Sequence, residues 1–162
     1  MPIIIEDGTL VEGANSYISV QDLKDYAALR GITLPADDQL TSKLILAMDY
    51  LDKYNPQWPG TSKGELGWPR EGAGYEGIPT AVKKAQTILA VKAAQGTALF
   101  NDTTADTKVL KSKKVDVLEW EYAVSETDPT IAPQPVFPEV DAILESIFAV
   151  SGWYGRTEVR RA

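Results

Sequence analysis

Residues 37–56 carry the pattern that decides the fold, and they read DDQLTSKLILAMDYLDKYNP. Apolar side chains recur in this stretch at Leu40, Leu44, Ala47, Met48 and Leu51. Side chains three, four and seven residues apart lie on one face of an α-helix, so the spacing predicts an amphipathic helix with a single buried stripe. The dipeptide at 55–56, Asn-Pro, is expected to end it.

The same helical spacing recurs in other segments of the chain. Ser19 and Asp22 form the pattern of a capping box at the start of a first helix, which Gly31 is expected to end. Pro79 suits the first position of a helix from about 79 to 98. A last helix is predicted over 139–152 from its apolar residues, Val140, Ile143, Leu144, Ile147 and Phe148.

Residues 105–124 are predicted to form a β-hairpin. In the second half, apolar residues alternate with Glu119 and Glu121, and a period of two is typical of a half-buried strand. The partner strand is predicted over 108–114, where it would set its lysines opposite these acids across a turn near Asp116. The lysines are Lys108, Lys111, Lys113 and Lys114.

The 162 residues predict one domain of mainly α class, a small bundle of three or four helices with a protruding β-hairpin and extended N- and C-terminal arms. Its parts are an N-terminal arm (1–18), a helical core (19–104) with an aromatic and glycine-rich loop (55–78), the hairpin (105–124), a proline-rich connector (125–138), the final helix (139–152) and a C-terminal tail (153–162). So small a core is poorly placed to bury the arms, so we expect them to pack on neighbouring chains.

The composition argues against catalysis. The chain has no Cys and no His, which removes thiol nucleophiles, imidazole bases and nearly every zinc site. Two carboxylate pairs remain, Asp49 with Asp52 and Asp102 with Asp106, but neither has the loop spacing of a hard-cation site. We therefore expect no enzyme, no metal and no cofactor. No apolar run of about 18 residues occurs, which predicts no membrane contact, and the N-terminus lacks the pattern of an export signal.

Two features of the 55–78 loop admit a ligand-binding interpretation. Gly72, Gly74 and Gly77 spell G-x-G-x-x-G ahead of a helix, but no buried strand precedes them, which favours a turn-rich loop over a phosphate site. Trp58, Trp68 and Tyr75, with Lys63 and Arg70, are residue types that stack on exposed bases. We favour the alternative that the tryptophans fill the core and Arg70 pairs with an acid, because the loop has few cations.

The tail combines aromatic and basic residues that are typical of interface hot spots, namely Trp153, Tyr154, Arg156, Arg160 and Arg161. Docking on a partner and simple disorder both fit this pattern. The net charge of −7, from 16 basic and 23 acidic residues, has the wrong sign for a surface that neutralises phosphates.

The order of several short motifs resembles that of one protein family. They are IIIEDG (3–8), GANSY (13–17), AMDYLD (47–52), LGWPR (66–70), IP (78–79) and KKV (113–115). They resemble tailed-bacteriophage proteins that are often described as DnaT-like single-stranded-DNA-binding proteins, and whose members are similar to head-tail connector, or adaptor, proteins of the phage neck. The resemblance spans most of the chain, although Asp116-Val117 stands where relatives tend to carry a turn glycine.

The resemblance implies a structural adaptor, located in the virion at the portal vertex after synthesis in the bacterial cytoplasm. Such adaptors form a ring, typically of twelve copies, that joins capsid to tail and lets double-stranded DNA pass without sequence recognition. Implied partners are the portal protein, neighbouring copies and the next neck or tail protein. The tail would dock on the portal, and the hairpin would contact a neighbouring ring or the channel, through residues Lys108, Lys111, Lys113, Lys114 and Asp116.

The alternative function is an accessory protein that binds single-stranded DNA. The feature that favours it is the lysine-rich segment 108–114 beside Trp120 and Tyr122.

Overall fold

The computed structural model describes residues 2–101, 112–115, 118–121 and 134–150. These residues contain four α-helices and two small antiparallel sheets. The helices are α1 (Val20–Ala28), α2 (Asp37–Leu51), α3 (Thr80–Ala94) and α4 (Pro138–Val150), and a 3₁₀ helix (Asp52–Gln57) continues α2. The strands are β1 (Thr61–Ser62) with β2 (Arg70–Glu71), and β3 (Ser112–Val115) with β4 (Leu118–Glu121). The predicted mainly α class with a small hairpin is confirmed.

The chain divides into two compact units. The first, here called the helical unit, comprises Met1–Thr97 and Phe137–Ala162 and contains α1 to α4. The second comprises Ala98–Val136 and contains the hairpin formed by β3 and β4. Most of the predicted proline-rich connector, residues 125–133, lies outside the described residues.

Helix α3 is the central element of the helical unit, where it packs against α1, α2 and α4. The predicted stripe of α2 faces inward, and all five of its apolar residues are buried. Small residues on α3, including Ala85, Ala90 and Ala93, are also buried. Because alanines add little bulk, they let neighbouring helices approach on more than one side. Helix α3 ends at Ala94, earlier than expected, because Gly96 turns the backbone away at φ +90°.

The start of α1 is fixed by the predicted capping box. The backbone N–H of Asp22 donates to Ser19 Oγ at 3.0 Å, and the Asp22 carboxylate accepts the backbone N–H of Ser19 at 2.8 Å. At the other end Gly31 adopts φ +63°, and the N–H of Ile32 donates to Ala27 O. Both ends of α1 therefore lie where the sequence predicts them.

We expect Ser19→Ala to lower the free energy of unfolding by about 1 kcal/mol, because it leaves the Asp22 N–H without its cap. Hydrogen bonds from Ser19 hold the pKa of Asp22 below its usual range. This stabilisation is therefore present above the ordinary pKa of an aspartate and is lost as the pH falls through the lower native pKa. Urea unfolding at neutral and acidic pH measures both effects. An equal loss for the exposed Thr33→Ala would contradict the capping assignment.

The N-terminal segment is extended, as predicted, and it packs on helices of its own chain. Ile5 pairs with Ser16 in an isolated parallel bridge, and the N–H of Glu6 donates to Ser16 O at 2.8 Å. Ser16, Tyr17 and Ile18 are buried. The segment is held because Gln86 of α3 accepts the Tyr17 N–H, so hydrogen bonds as well as apolar burial attach it to the unit.

Candidate nucleic-acid interface

The two tryptophans of the aromatic loop are part of the core, so their rings are not available for base stacking. Trp68 is fully buried and Trp58 is 4% exposed. The two indole rings pack with their centroids 5.9 Å apart, and Tyr75 packs edge-on against Trp68 at 5.8 Å. A side chain at Gly67 would approach Trp58 Cζ3 to 2.3 Å, so glycine is required there. The prediction that the tryptophans fill the core is confirmed.

Arg70 holds this loop together from within. Its guanidinium donates to four oxygens at 2.7–3.0 Å, those of Pro59 O, Asn55 Oδ1, Gly67 O and Gly60 O. The expectation that Arg70 pairs with an acid is wrong, because carbonyl and amide oxygens occupy these donors. Partial burial lowers the pKa of Arg70 from its usual value. With its donors engaged inside the loop, Arg70 is not available to bind phosphate.

The G-x-G-x-x-G motif forms turns, as predicted. Gly72, Gly74 and Gly77 all have positive φ, at +72°, +79° and +68°. The strand ahead of them is the two-residue β2, which pairs antiparallel with β1. A dinucleotide site needs a buried parallel strand leading into the first glycine, and this strand is neither long nor parallel.

The acidic pair considered from the sequence lies at the end of α2, with Asp49 in the helix and Asp52 at the start of the 3₁₀ helix. Burial, together with the negative charge of Asp49, raises the pKa of Asp52. Within the described ranges, no group of three or more acidic side chains could hold a metal ion. The other candidate pair, Asp102 and Asp106, lies outside the described residues. None of the described helices is long and apolar enough to cross a membrane.

The register of the hairpin brings a lysine and a tryptophan together. Lys113 pairs with Trp120 and Lys114 pairs with Glu119, and Val115 pairs with Leu118 next to the turn. Residues opposite each other on paired strands share a face of the ribbon, and so do residues two apart on one strand. One face therefore carries Lys113, Trp120, Val115 and Leu118.

The other face of the ribbon carries Ser112, Lys114, Glu119 and Glu121, which confirms the predicted placement of Lys114 opposite an acid. The same prediction is wrong for Lys113, because neighbouring residues of a strand alternate between faces and Lys113 lies opposite Trp120. The remaining predicted hairpin residues, Lys108, Lys111 and Asp116, lie outside the described residues. So do all five tail residues, Trp153, Tyr154, Arg156, Arg160 and Arg161.

The helical unit has an excess of acidic residues that the described hairpin strands lack. Residues 2–97 and 137–150 contain nine Lys and Arg against fifteen Asp and Glu. The described hairpin strands contain two lysines and two glutamates. An acidic surface repels phosphates, so the helical unit is the less favourable of the two for contact with DNA.

A family model described as "Putative DnaT-like ssDNA binding protein" matches residues 1–162, the whole chain. The chain belongs to this DnaT-like family. No curated protein and no solved structure was found to match it. In this DnaT-like protein, the paired strands β3 and β4 place a lysine, Lys113, directly opposite an aromatic residue, Trp120.

Proposed function

We propose that this DnaT-like protein binds single-stranded DNA through the hairpin. The observation that carries the proposal is the pairing of Lys113 with Trp120 on one face of the ribbon. Proteins that bind single strands without sequence preference stack bases on aromatic rings and place cations near the backbone phosphates. The description of the family as DnaT-like and ssDNA-binding supports the same function.

The proposed contact with DNA involves few residues, and their charge determines how its affinity should depend on salt. Trp58 and Trp68 are buried, and Arg70 donates to loop oxygens, so these residues add nothing to it. Few phosphates can be neutralised by Lys113 and its neighbours, while the acidic helical unit opposes approach. We therefore expect weak binding at physiological salt that strengthens as the salt concentration falls.

The test is fluorescence anisotropy with a labelled thymidine oligonucleotide at low salt. We expect Trp120→Ala to weaken binding about tenfold or more, because each stacked base contributes roughly 1–3 kcal/mol. Lys113→Glu should weaken binding and reduce its dependence on salt. Lys63→Glu, an exposed charge reversal on the helical unit, is the matched control and should have a smaller effect. Absence of binding at low salt, or normal binding by Trp120→Ala, would refute the proposal.

A second candidate is the structural adaptor of a tailed-phage neck, as the order of motifs implies. It is supported by the excess of acidic residues on the helical unit, because a surface that repels phosphate lets DNA pass without sticking. In this role the protein would meet the portal, neighbouring copies and the next neck or tail protein, with residues 153–162 docking on the portal.

Labelled protein located at the neck of purified virions would support the adaptor function, and absence of the protein from virions would refute it. Deleting residues 153–162 should abolish docking on a portal ring, while the helical unit still folds. A truncated protein that docks normally would remove the tail from this function.

A further inference from the structure

A small cavity lies between the last turns of α1 and α3. Its volume is about 180 Å³, and it is lined by apolar and aromatic side chains, including Tyr26, Ile32 and Ile88, and by the charged side chains of Arg30, Lys92 and Glu139. Sites for small molecules usually measure about 300–1,000 Å³. The cavity, here called the Arg30 pocket, is therefore sized for one or two side chains of another protein.

Arg30 supplies the charge of this pocket. Its guanidinium lies 3.5 Å from the centroid of the Tyr26 ring and donates to Tyr26 O at 3.2 Å, while the residue remains exposed. Lys92 is already paired with Glu139 at 2.6 Å. No described carboxylate pairs with Arg30. Leu29, 86% exposed, adds apolar surface next to it. The pocket therefore combines an apolar floor with a cation that lacks an acidic partner among the described residues.

Helix α2 presents a surface of the opposite charge. Its side away from the buried stripe lines a depression of about 340 Å³ that includes Ile45 and Leu46, both half-buried, with Asp38 and Asp49 at the two ends. We call these four residues the α2 outer face. Both aspartates are exposed, and neither forms an ion pair within the described part of the chain. Along the helix they stand about 16 Å apart, which frames the two apolar side chains.

We propose that the α2 outer face of one copy docks on the Arg30 pocket of a second copy. The two surfaces match in chemistry: Ile45 and Leu46 meet the apolar side chains of the pocket, and one of the two flanking aspartates meets Arg30. Opposite charges across an interface favour this partner and fix its orientation. The two surfaces lie on different elements of one unit, so the contact is head-to-tail, and a dimer has one unused surface at each of its ends. The contact is inferred from the helical unit alone and does not rest on DNA binding.

Sedimentation velocity of the full chain over a wide range of protein concentration tests the contact. We expect the wild type to associate as concentration rises. Arg30→Glu should move the midpoint of association to about tenfold higher concentration or more, and so should the double variant Asp38→Lys/Asp49→Lys. Lys63→Glu and Glu12→Lys/Glu65→Lys reverse as many exposed charges elsewhere and should associate like the wild type.

Mixing the two interface variants gives the sharper test. Arg30→Glu keeps its α2 outer face, and Asp38→Lys/Asp49→Lys keeps its Arg30 pocket, while the two altered surfaces again carry opposite charges. An equimolar mixture should therefore form heterodimers and associate at a lower concentration than either variant alone. A wild type that stays monomeric, variants that associate normally, or a mixture that forms no heterodimer would each overturn the proposal. Association lost only on deletion of residues 153–162 would point to the tail as the occupant and would also overturn it. A chain that associates as proposed but is missing from virions would leave this contact standing without the adaptor function.

Discussion

Trp68→Ala is expected to lower the free energy of unfolding by about 3–5 kcal/mol, the range for removing a large aromatic ring from a packed core. Trp68 is fully buried between Trp58 and Tyr75, so the ring leaves a cavity that its neighbours cannot easily fill. Its backbone N–H also donates to the Tyr17 hydroxyl at 3.0 Å, which ties the loop to the N-terminal segment. Urea unfolding followed by far-ultraviolet circular dichroism measures the loss.

Trp68→Phe is the matched control and should cost much less than alanine. Phenylalanine keeps most of the apolar surface, and the indole N–H that it removes has no acceptor among the described residues. Removing an unpaired buried donor carries no hydrogen-bond penalty. If Trp68→Phe were as destabilising as Trp68→Ala, the indole N–H would have to be hydrogen-bonded, and the account of this cluster would be wrong.

The helices could be predicted because their signals are local. The stripe of α2 repeats over a few turns, and the cap of α1 involves two residues three apart. Such patterns need no knowledge of the rest of the chain. The hairpin could be predicted for the same reason. Alternating apolar residues and opposite charges on the two sides of one turn predict Lys114 opposite an acid, and the structure pairs it with Glu119.

The inside of the aromatic loop could not be predicted in the same way. The sequence predicts an acidic partner for Arg70, but most of its acceptors are backbone carbonyls, including Pro59 O and Gly60 O. Every residue has a carbonyl, so no residue type marks the partners of a guanidinium that binds backbone. Strands β1 and β2 have only two residues each. So short a pair shows no alternation of apolar and polar residues that would predict it from the sequence.

The two proposed surfaces differ in how much the sequence reveals of them. Alternation with a period of two predicts on which side of the ribbon Trp120 lies, but the sequence predicts Lys113 opposite an acid, and only the register of the strands shows it opposite Trp120. The Arg30 pocket joins the ends of α1 and α3, which are far apart along the chain. Arg30 stands alone in its segment, so no spacing points to it, and only the packing of the helices reveals the cavity.

Gln86→Met is expected to lower the free energy of unfolding by about 2–4 kcal/mol. Gln86 is fully buried in α3, where its Oε1 accepts the Tyr17 N–H at 3.0 Å and its Nε2 donates to Ser16 Oγ at 2.7 Å. Methionine has a similar length and keeps the apolar packing, so the change isolates the lost hydrogen bonds. The Tyr17 N–H would remain buried without its acceptor, which carries the full cost of desolvation.

Gln39→Met, at an exposed position of α2, is the control and should change stability by less than about 0.5 kcal/mol. Because Gln86 joins the helices to the N-terminal segment, its loss should first release that segment. Hydrogen exchange of the Tyr17 N–H should therefore accelerate in Gln86→Met by more than exchange in the middle of α3. Equal acceleration at both places would mean that Gln86 supports the whole unit evenly, and that the N-terminal segment is held instead by the burial of Tyr17 and Ile18 against the helices.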